Sequence, residues 1–376
     1  MNIYAPPFAK GLQYYYSPFF ALILMPFCKY TLISKIVWLL LSYALLYRTF
    51  KLLLAYFDTR LLTKNEINLW ILSVAFLSFQ FIMYNVSMIQ ITFFLIWAIF
   101  ESINQIFKSK HILGGFILGL AINIKLMPIL ILPFLFYRGY FKALIFTILT
   151  FTALLFVPAI CLGNEFNSFL LSEWWAVINP GNKEHLFETG IGTHSLVALL
   201  PVYLTETLGE LDFKRNLLNL NHQTVELIIN TSRFLLLALS IIYLRSMPFK
   251  KESNKLKSFW EISYFVLIIP LILPHQQKYA FILAVPMISY LLYFFITTRK
   301  AQKTKGYYIS LYLLLVCALF YTPFYGSDVL GYSLFNFTQH YRLLSISTII
   351  LIPISMFCNP KKLVELNDKI SYSQGQ

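Results

Sequence analysis

Charge is what this chain has least of. Only 12% of its 376 residues are Asp, Glu, Lys or Arg, about half the share that soluble domains carry. So small a stock cannot solvate the surface of a water-soluble fold, and no stretch reads as a soluble domain. Acids are the scarcer sign, 16 against 30 Lys and Arg, and none precedes Asp58. A Gly-rich nucleotide-binding loop and a long internal repeat are both missing. So is a secretory signal peptide, because the first basic residue is Lys10 and no short apolar run ends in a small-residue cleavage site. The four cysteines, Cys28, Cys161, Cys317 and Cys358, have neither metal-ligand nor redox spacing. Each lies in or beside an apolar run and reads as a small membrane-buried side chain. The net charge of +14 does not indicate nucleic acid, because the basic residues come in short clusters between apolar runs rather than along one polar stripe.

Apolar and aromatic residues are abundant instead: 58% hydrophobic and 18% aromatic, with 36 Phe and 25 Tyr. Amphipathic rings are favoured where membrane spans meet the headgroups. A span needs about 20 apolar residues, whereas runs of about 10 to 14 are re-entrant, interfacial or buried in protein. By that rule the spans are Ile33 to Tyr56, Leu69 to Met83, Met88 to Phe107, Phe141 to Leu162 and Val225 to Leu244. Phe259 to Leu273, Tyr279 to Thr297, Tyr307 to Tyr321 and Leu343 to Phe357 follow. Between Lys110 and Lys142, the short runs His111 to Asn123 and Leu126 to Tyr137 predict a tight helical hairpin with Lys125 at its tip and Pro128 and Pro133 beyond it. The fold class is therefore all-α, a polytopic transmembrane helix bundle of about eleven membrane segments forming one integral membrane domain over residues 1–376.

Lys and Arg mark cytoplasmic loops. Basic clusters recur at Arg48 to Lys64, Lys108 and Lys110, Arg138 and Lys142, Arg245 to Lys257, Arg299 to Lys305, and Lys361 to Lys369. The segment 162–224 behaves oppositely, with seven acids against Lys183, Lys214 and Arg215, and is read as a large outer loop. The tail 358–376 is then cytoplasmic, in a cell membrane such as the bacterial inner membrane. Residues 1–30 form an outer or interfacial segment, yet they carry Lys10 and Lys29 and no acid, charges that resist translocation. An additional span upstream is expected on that ground, giving about twelve.

Ionisable groups inside spans are costly and mark candidate sites. Lys125, at a helical break beside prolines, faces a cavity or the bundle interior, or else snorkels to the interface. The connection Pro274-His275-Gln276-Gln277-Lys278-Tyr279 gathers imidazole, amide, ammonium and phenol groups, a set suited to an anionic head group, or it is a merely polar turn. On the large loop, Trp174 and Trp175 read as anchors, and Gly190 to Ser195 as a flexible turn leading to a polar entry. Glu184 or Glu188 could serve there as a general base. Glu101 and Arg233 lie within apolar runs, either as internal ion pairs or near a membrane edge.

Four stretches give the chain a family resemblance. Tyr14 to Ala21 with Pro26 looks like an aromatic-Pro segment, and Val86 to Gln90 is similar to a Gly-Gln-x-Asn segment of which Gln90 alone is kept. Gly114 to Ala121, continuing through Lys125 to Pro128 with Arg138 beyond, resembles a Gly-rich helix followed by Lys-x-x-Pro. Pro270 to Tyr279 is similar to a segment ending in Pro, then His and an aromatic, with His275 at the His. Together they resemble the polyprenyl-phosphate-sugar-dependent glycosyltransferases of the GT-C superfamily, most closely glycosyltransferase family 87. The resemblance implies transfer of a mannose-like hexose or a pentose from a polyprenyl phosphate to a glycan or glycolipid hydroxyl on the outer face, with no cofactor and no metal. It makes Lys125, His275 and Lys278 candidates for the donor phosphate, and Gln90, His194, Ser195 and Tyr279 for sugar or acceptor. The family's acidic base follows its first span. That region has no counterpart here, which leads to the expectation of an inactive chain unless another group, Glu188 the weak candidate, takes over. The competing classes are a transporter or flippase, which would show inverted halves, and an assembly protein without activity.

The charge asymmetry predicts that a cysteine placed at Asn182 reacts with an impermeant thiol reagent in intact cells. Reaction only after permeabilisation would invert the topology.

Overall fold

The computed structural model describes residues 2–4, 14–179, 181–182, 186–188, 190–206, 210–214, 216–245, 247–299 and 304–363. Expectations resting on Lys10, Lys183, Glu184, Arg215 and the tail beyond residue 363 lie outside these. Among the described residues the regular elements are helical, and there is no strand. In chain order the α-helices are α1 Pro18–Leu24, α2 Thr31–Leu54, α3 Lys64–Ser87, α4 Thr92–Phe107, α5 His111–Ile124, α6 Leu132–Tyr137, α7 Phe141–Leu162 and α8 Asn164–Ile178. They continue with α9 Leu196–Leu204, α10 His222–Leu244, α11 Lys255–Ile272, α12 Val285–Thr298, α13 Lys305–Leu319, α14 Ser327–His340 and α15 Leu343–Phe357.

Among the described residues, five helical runs are long and apolar enough to cross a membrane: α2, α3, α7, α10 and the continuous 3₁₀/α run Lys278–Thr298. The pair α14 and α15, bent by 61°, would make a sixth. Spans read from hydropathy fall on helices throughout, with shifted ends except at α7 and α15. The helix expected from Met88 starts at Thr92, because Ile89 turns into left-handed backbone and the Gln90 N–H closes onto the Asn85 carbonyl at 2.9 Å. Asn254 caps α11 by accepting from the Lys257 N–H at 3.0 Å, so that helix starts four residues before Phe259. Segment 162–224 is not a simple loop, since α8 and α9 lie within it. Cys317 and Cys358 are buried in protein, whereas Cys28 and Cys161 are exposed on it.

The chain divides into two compact units. The first comprises Met1–Leu54, Asn85–His185 and Ser246–Lys251. Its centre is α5, whose glycine face packs against α4 and α7. A Cβ on Gly115 would lie 2.6 Å from the Ala143 carbonyl oxygen, and one on Gly119 would lie 2.5 Å from that of Thr147. Small residues four apart allow this backbone approach, which replaces the missing hydrophobic drive between helices in lipid. The Ser102 hydroxyl donates to the Gly114 carbonyl at 2.7 Å and ties α4 to the same face. The end of α5 is fixed by the fully buried Asn123, which accepts from the Ser17 hydroxyl at 3.0 Å and donates to the Phe151 carbonyl at 3.3 Å. Ser17 in turn caps α1, accepting from the Phe20 N–H at 3.2 Å. Lys125 is extended (φ −149°, ψ 128°), and a 3₁₀ turn Met127–Ile131 with Pro128 in its first turn leads into α6. The break expected at Lys125 is present, with α5 before it and the 3₁₀ turn and α6 after it.

The second unit comprises Ala55–Tyr84, Leu186–Arg245 and Glu252–Gln376. Its core is α11, buried from Ser258 through Ile272. Aromatic polar tips there reach backbone carbonyls: Tyr243 donates to Ile352 at 3.0 Å, Trp260 to Ser355 at 3.0 Å and Tyr264 to Leu236 at 2.5 Å. Tyr243 stacks on Tyr264 with centroids 3.9 Å apart. Such rings supply large apolar area while satisfying their own polar atom, as a dry interior requires.

Gly119→Ala should lower stability in detergent by about 1–3 kcal/mol, the usual cost of overpacking, because the new methyl meets backbone. Gly192→Ala is the control, since a Cβ there meets nothing within 4 Å. Equal melting temperatures for the two variants would remove the close-approach argument.

Candidate functional site

In the first unit Lys125 stands at the end of α5 with its ammonium 5.4 Å from the centre of the Tyr16 ring, a cation–π separation. Tyr16 donates its hydroxyl to Gln90 Oε1 at 3.4 Å and packs on Tyr14 and Phe20, with centroids 5.5 and 5.4 Å away. Two residues singled out in sequence, Lys125 and Gln90, are thus brought to one tyrosine. Beside it lies a cavity of about 340 Å³ whose walls include Phe20, Trp38, Leu41, Ile91 and Leu120, with Gln90 at its border. A second cavity of about 240 Å³ shares Phe20, Trp38 and Ile91 and is edged by Tyr14, Tyr16 and Lys35. The lining of the larger cavity is almost wholly apolar, with Gln90, Ser34 and Ser42 its polar residues. Glu101, also in this unit, is an internal ion pair, 3.0 Å from Arg48 and hydrogen-bonded to Asn104 and Gln105.

In the second unit the turn 190–195 pairs with the connection after α11. The His194 N–H donates to the Gln276 carbonyl at 2.8 Å, and Thr193 and Gln277 form an antiparallel bridge. This pairing aligns the other candidates. Glu188 Oε1 accepts the His275 backbone N–H at 2.5 Å and lies 2.7 Å from His275 Nδ1. The Ser195 hydroxyl donates to Glu188 Oε2 at 3.4 Å. A carboxylate only accepts, so Nδ1 carries the proton and Nε2 is the nitrogen of the neutral ring that can accept another. His275 itself has a left-handed backbone, φ 58°, a conformation that costs energy in a non-glycine residue and is held here by its bond to Glu188. Arg233 donates to the Ile272 carbonyl at 3.0 Å, at the end of α11.

Lys278 donates to the Tyr325 carbonyl at 2.7 Å and lies 4.9 Å from the centre of that ring. Tyr279 is buried and stacks near Tyr84, centroids 6.4 Å apart. His194 is fully buried with Nε2 3.0 Å from Gln339 Oε1, and Gln339 Nε2 donates to the Tyr325 hydroxyl at 2.9 Å. That chain assigns the amide orientation and with it the Nε2–H tautomer of His194. Arg342 closes the arrangement, donating from NH1 to the Ile191 carbonyl at 2.7 Å and the Gln339 carbonyl at 2.9 Å, and from NH2 to the Gly190 carbonyl at 2.7 Å. Burial, then the Arg342 charge, push the His194 imidazole down to about 3; burial dominates because an imidazolium there would lose its hydration.

Helices long enough to cross a membrane, interrupted at polar breaks, define a multi-pass membrane protein. Residues 14–246 match the model of glycosyltransferase family 87, and the chain belongs to that family of membrane glycosyltransferases. No curated protein and no solved structure matches it. The matched stretch contains Tyr16, Gln90, Lys125, Glu188, His194 and Ser195, while His275, Lys278 and Tyr279 lie beyond it.

Tyr16, Lys35, Trp38, Tyr325, Gln339 and Arg342 were not candidates in the sequence. For Arg342 a signal exists: it immediately precedes the apolar run Leu343 to Phe357, and an Arg at the edge of a span is a candidate by itself. The others give none, since their partners are distant in sequence.

His194 binds no proton in the folded state until about pH 3, whereas an unfolded His does so near 6.5. Its contribution to stability is therefore complete above pH 6.5 and is lost as pH falls toward 3. From pH 7 to pH 5 wild type should lose about 2 kcal/mol more stability than His194→Gln, read from unfolding curves in detergent. Identical pH slopes would mean that His194 is protonated in the fold.

Proposed function

We propose that this membrane glycosyltransferase takes a hexose or pentose, mannose-like in the first case, from a polyprenyl phosphate and adds it to a glycan or glycolipid hydroxyl at the outer face of the cell membrane. One observation carries the reading: the apolar cavity of about 340 Å³ has Gln90 in its lining, and Gln90 is bonded to the Tyr16 whose ring carries the Lys125 ammonium. An isoprenoid chain is apolar and its phosphate is not, and an apolar cavity linked through Gln90 and Tyr16 to a cation suits that division, whereas a nucleotide sugar is polar throughout. The reading includes a GT-C-like bundle of about eleven membrane segments, supported by five apolar helical runs of 10–17 residues besides the longer ones. It also places 162–224 outside and the C-terminus in the cytoplasm, following the basic clusters.

In the reaction the acceptor oxygen attacks the sugar's C1, the bond from C1 to the phosphate oxygen breaks, and the electron pair leaves with the polyprenyl phosphate. Lys125 meets the growing negative charge on that phosphate. His275 Nε2 takes the acceptor proton, with Glu188 holding Nδ1–H and stabilising the imidazolium formed, the division of labour of a carboxylate-oriented histidine. Lys278, 4.9 Å from the centre of the Tyr325 ring, is a further cationic candidate within the second unit. Gln90 and Tyr279 are assigned to sugar or acceptor, while His194 and Ser195 hold the Glu188 segment from within.

Purified protein supplied with radiolabelled polyprenyl-phosphate sugars should form glycosylated acceptor and release polyprenyl phosphate. Turnover with nucleotide sugars alone would overturn the donor assignment. Lys125→Met should weaken donor use about 10- to 150-fold at every pH, the worth of a charge-assisted contact. Glu188→Gln and His275→Ala should cut turnover about 10²–10⁴-fold. Wild-type rates in both of the latter would exclude the pair from proton transfer.

A further inference from the structure

Helices α5 and α7 both begin at one end of the first unit, at His111 and Phe141. The Tyr140 ring lies between their starts, 6.2 Å from that of His111. The short segment Met247 to Lys251, chemically remote from the cavity residues, docks here. The Phe249 N–H donates to the Tyr137 carbonyl at 2.7 Å, and buried Arg138 donates to the Lys250 carbonyl at 3.4 Å. The contact is close enough to require glycine: Gly139 has φ 71°, and a Cβ on it would lie 2.8 Å from the Phe249 carbonyl oxygen.

Docking assembles two surfaces side by side. Phe249 joins Phe136 and Phe141 in a three-ring cluster with centroids 5.4–5.8 Å apart. All three rings remain substantially exposed, at 54%, 53% and 43%. Next to them stand exposed Lys142, Lys250 and Lys251, the last with its ammonium 5.6 Å from the centre of the Tyr140 ring. No Asp or Glu occurs between Ser102 and Asn164, and the acid that follows Lys251, Glu252, is ion-paired with Lys257. Exposed rings beside a cluster of exposed ammonium groups suit the boundary between acyl chains and phosphates.

We propose that this end of the first unit binds an anionic phospholipid of the bilayer, its phosphate held by Lys142, Lys250 and Lys251 and its acyl chains laid along Phe136, Phe141 and Phe249. Charge complementarity selects the occupant: a zwitterionic lipid offers the same chains without the net negative charge. The site is separate from the donor reading and stands without it.

Full-length protein in detergent, titrated with phosphatidylglycerol or phosphatidylcholine and followed by native mass spectrometry, tests it. Wild type should retain phosphatidylglycerol adducts at least tenfold more tightly. The triple variant K142Q/K250Q/K251Q should lose about a hundredfold of that affinity, each lysine contributing a comparable factor. K29Q/K51Q/K64Q, which removes the same charge elsewhere, should stay within about threefold of wild type by the same reckoning. No preference between the lipids, or equal losses in the two triple variants, would overturn the site. Complete competition by inorganic phosphate or glycerol phosphate would replace the lipid by a soluble anion and overturn the occupant.

Discussion

In the dry interior of a membrane protein each backbone N–H and C=O needs a partner within the protein, and leaving one without costs several kcal/mol. Continuous helices meet that demand unaided; broken ones do not. The structure breaks its helices at Lys125, at 273–277 and at 341–342, and at each break a polar side chain takes over. Asn123 ties the end of α5 to Ser17 and Phe151. Glu188 receives the His275 N–H. Arg342 alone donates to three carbonyls. The groups that satisfy the backbone are thus neighbours of those with chemical potential, and the site cannot be altered without touching the scaffold.

The two polar clusters differ in kind. Around Gln90 and Tyr16 the polar groups are few and apolar walls adjoin them, an environment that suits the greasy part of a ligand. Around His275 the groups are dense and mutually bonded: Ser195 to Glu188, Glu188 to His275, His194 to Gln339, Gln339 to Tyr325, and Tyr325 to Lys278. Such a network holds tautomers and ring orientations rigidly, which serves proton transfer better than it serves accommodation of varied ligands.

Much of the fold was legible because hydropathy is a local signal. Phe141–Leu162 and Leu343–Phe357 have in the structure the ends read from sequence, and the break at Lys125 was announced by Asn123 on one side and Pro128 on the other. Helices α8 and α9 were missed because their composition is mixed: Glu165, Asn167 and Glu173 interrupt one, and Pro201 lies inside the other. The candidate residues were legible as types but not as partners. Glu188 and His275 lie 87 positions apart and carry no periodic mark of their pairing. Arg342 has a signal in its place at the edge of an apolar run, but two of its three acceptors are carbonyls about 150 residues upstream. Backbone acceptors leave no trace in side-chain identity.

The segment Met247 to Lys251 has a consequence for biogenesis. The chain enters the first unit, leaves it at Leu54, returns at Asn85, leaves again at His185 and comes back only for Ser246–Lys251. A ribosome delivering this protein to the membrane therefore releases α5 and α7 long before the piece that covers Gly139. During the synthesis of the intervening residues, the nascent first unit must wait with Tyr137 and Arg138 not yet joined to Phe249 and Lys250. Neither unit is a contiguous stretch of the gene, so neither can be inherited, duplicated or excised as a cassette, and recombination would have to exchange the interleaved halves together.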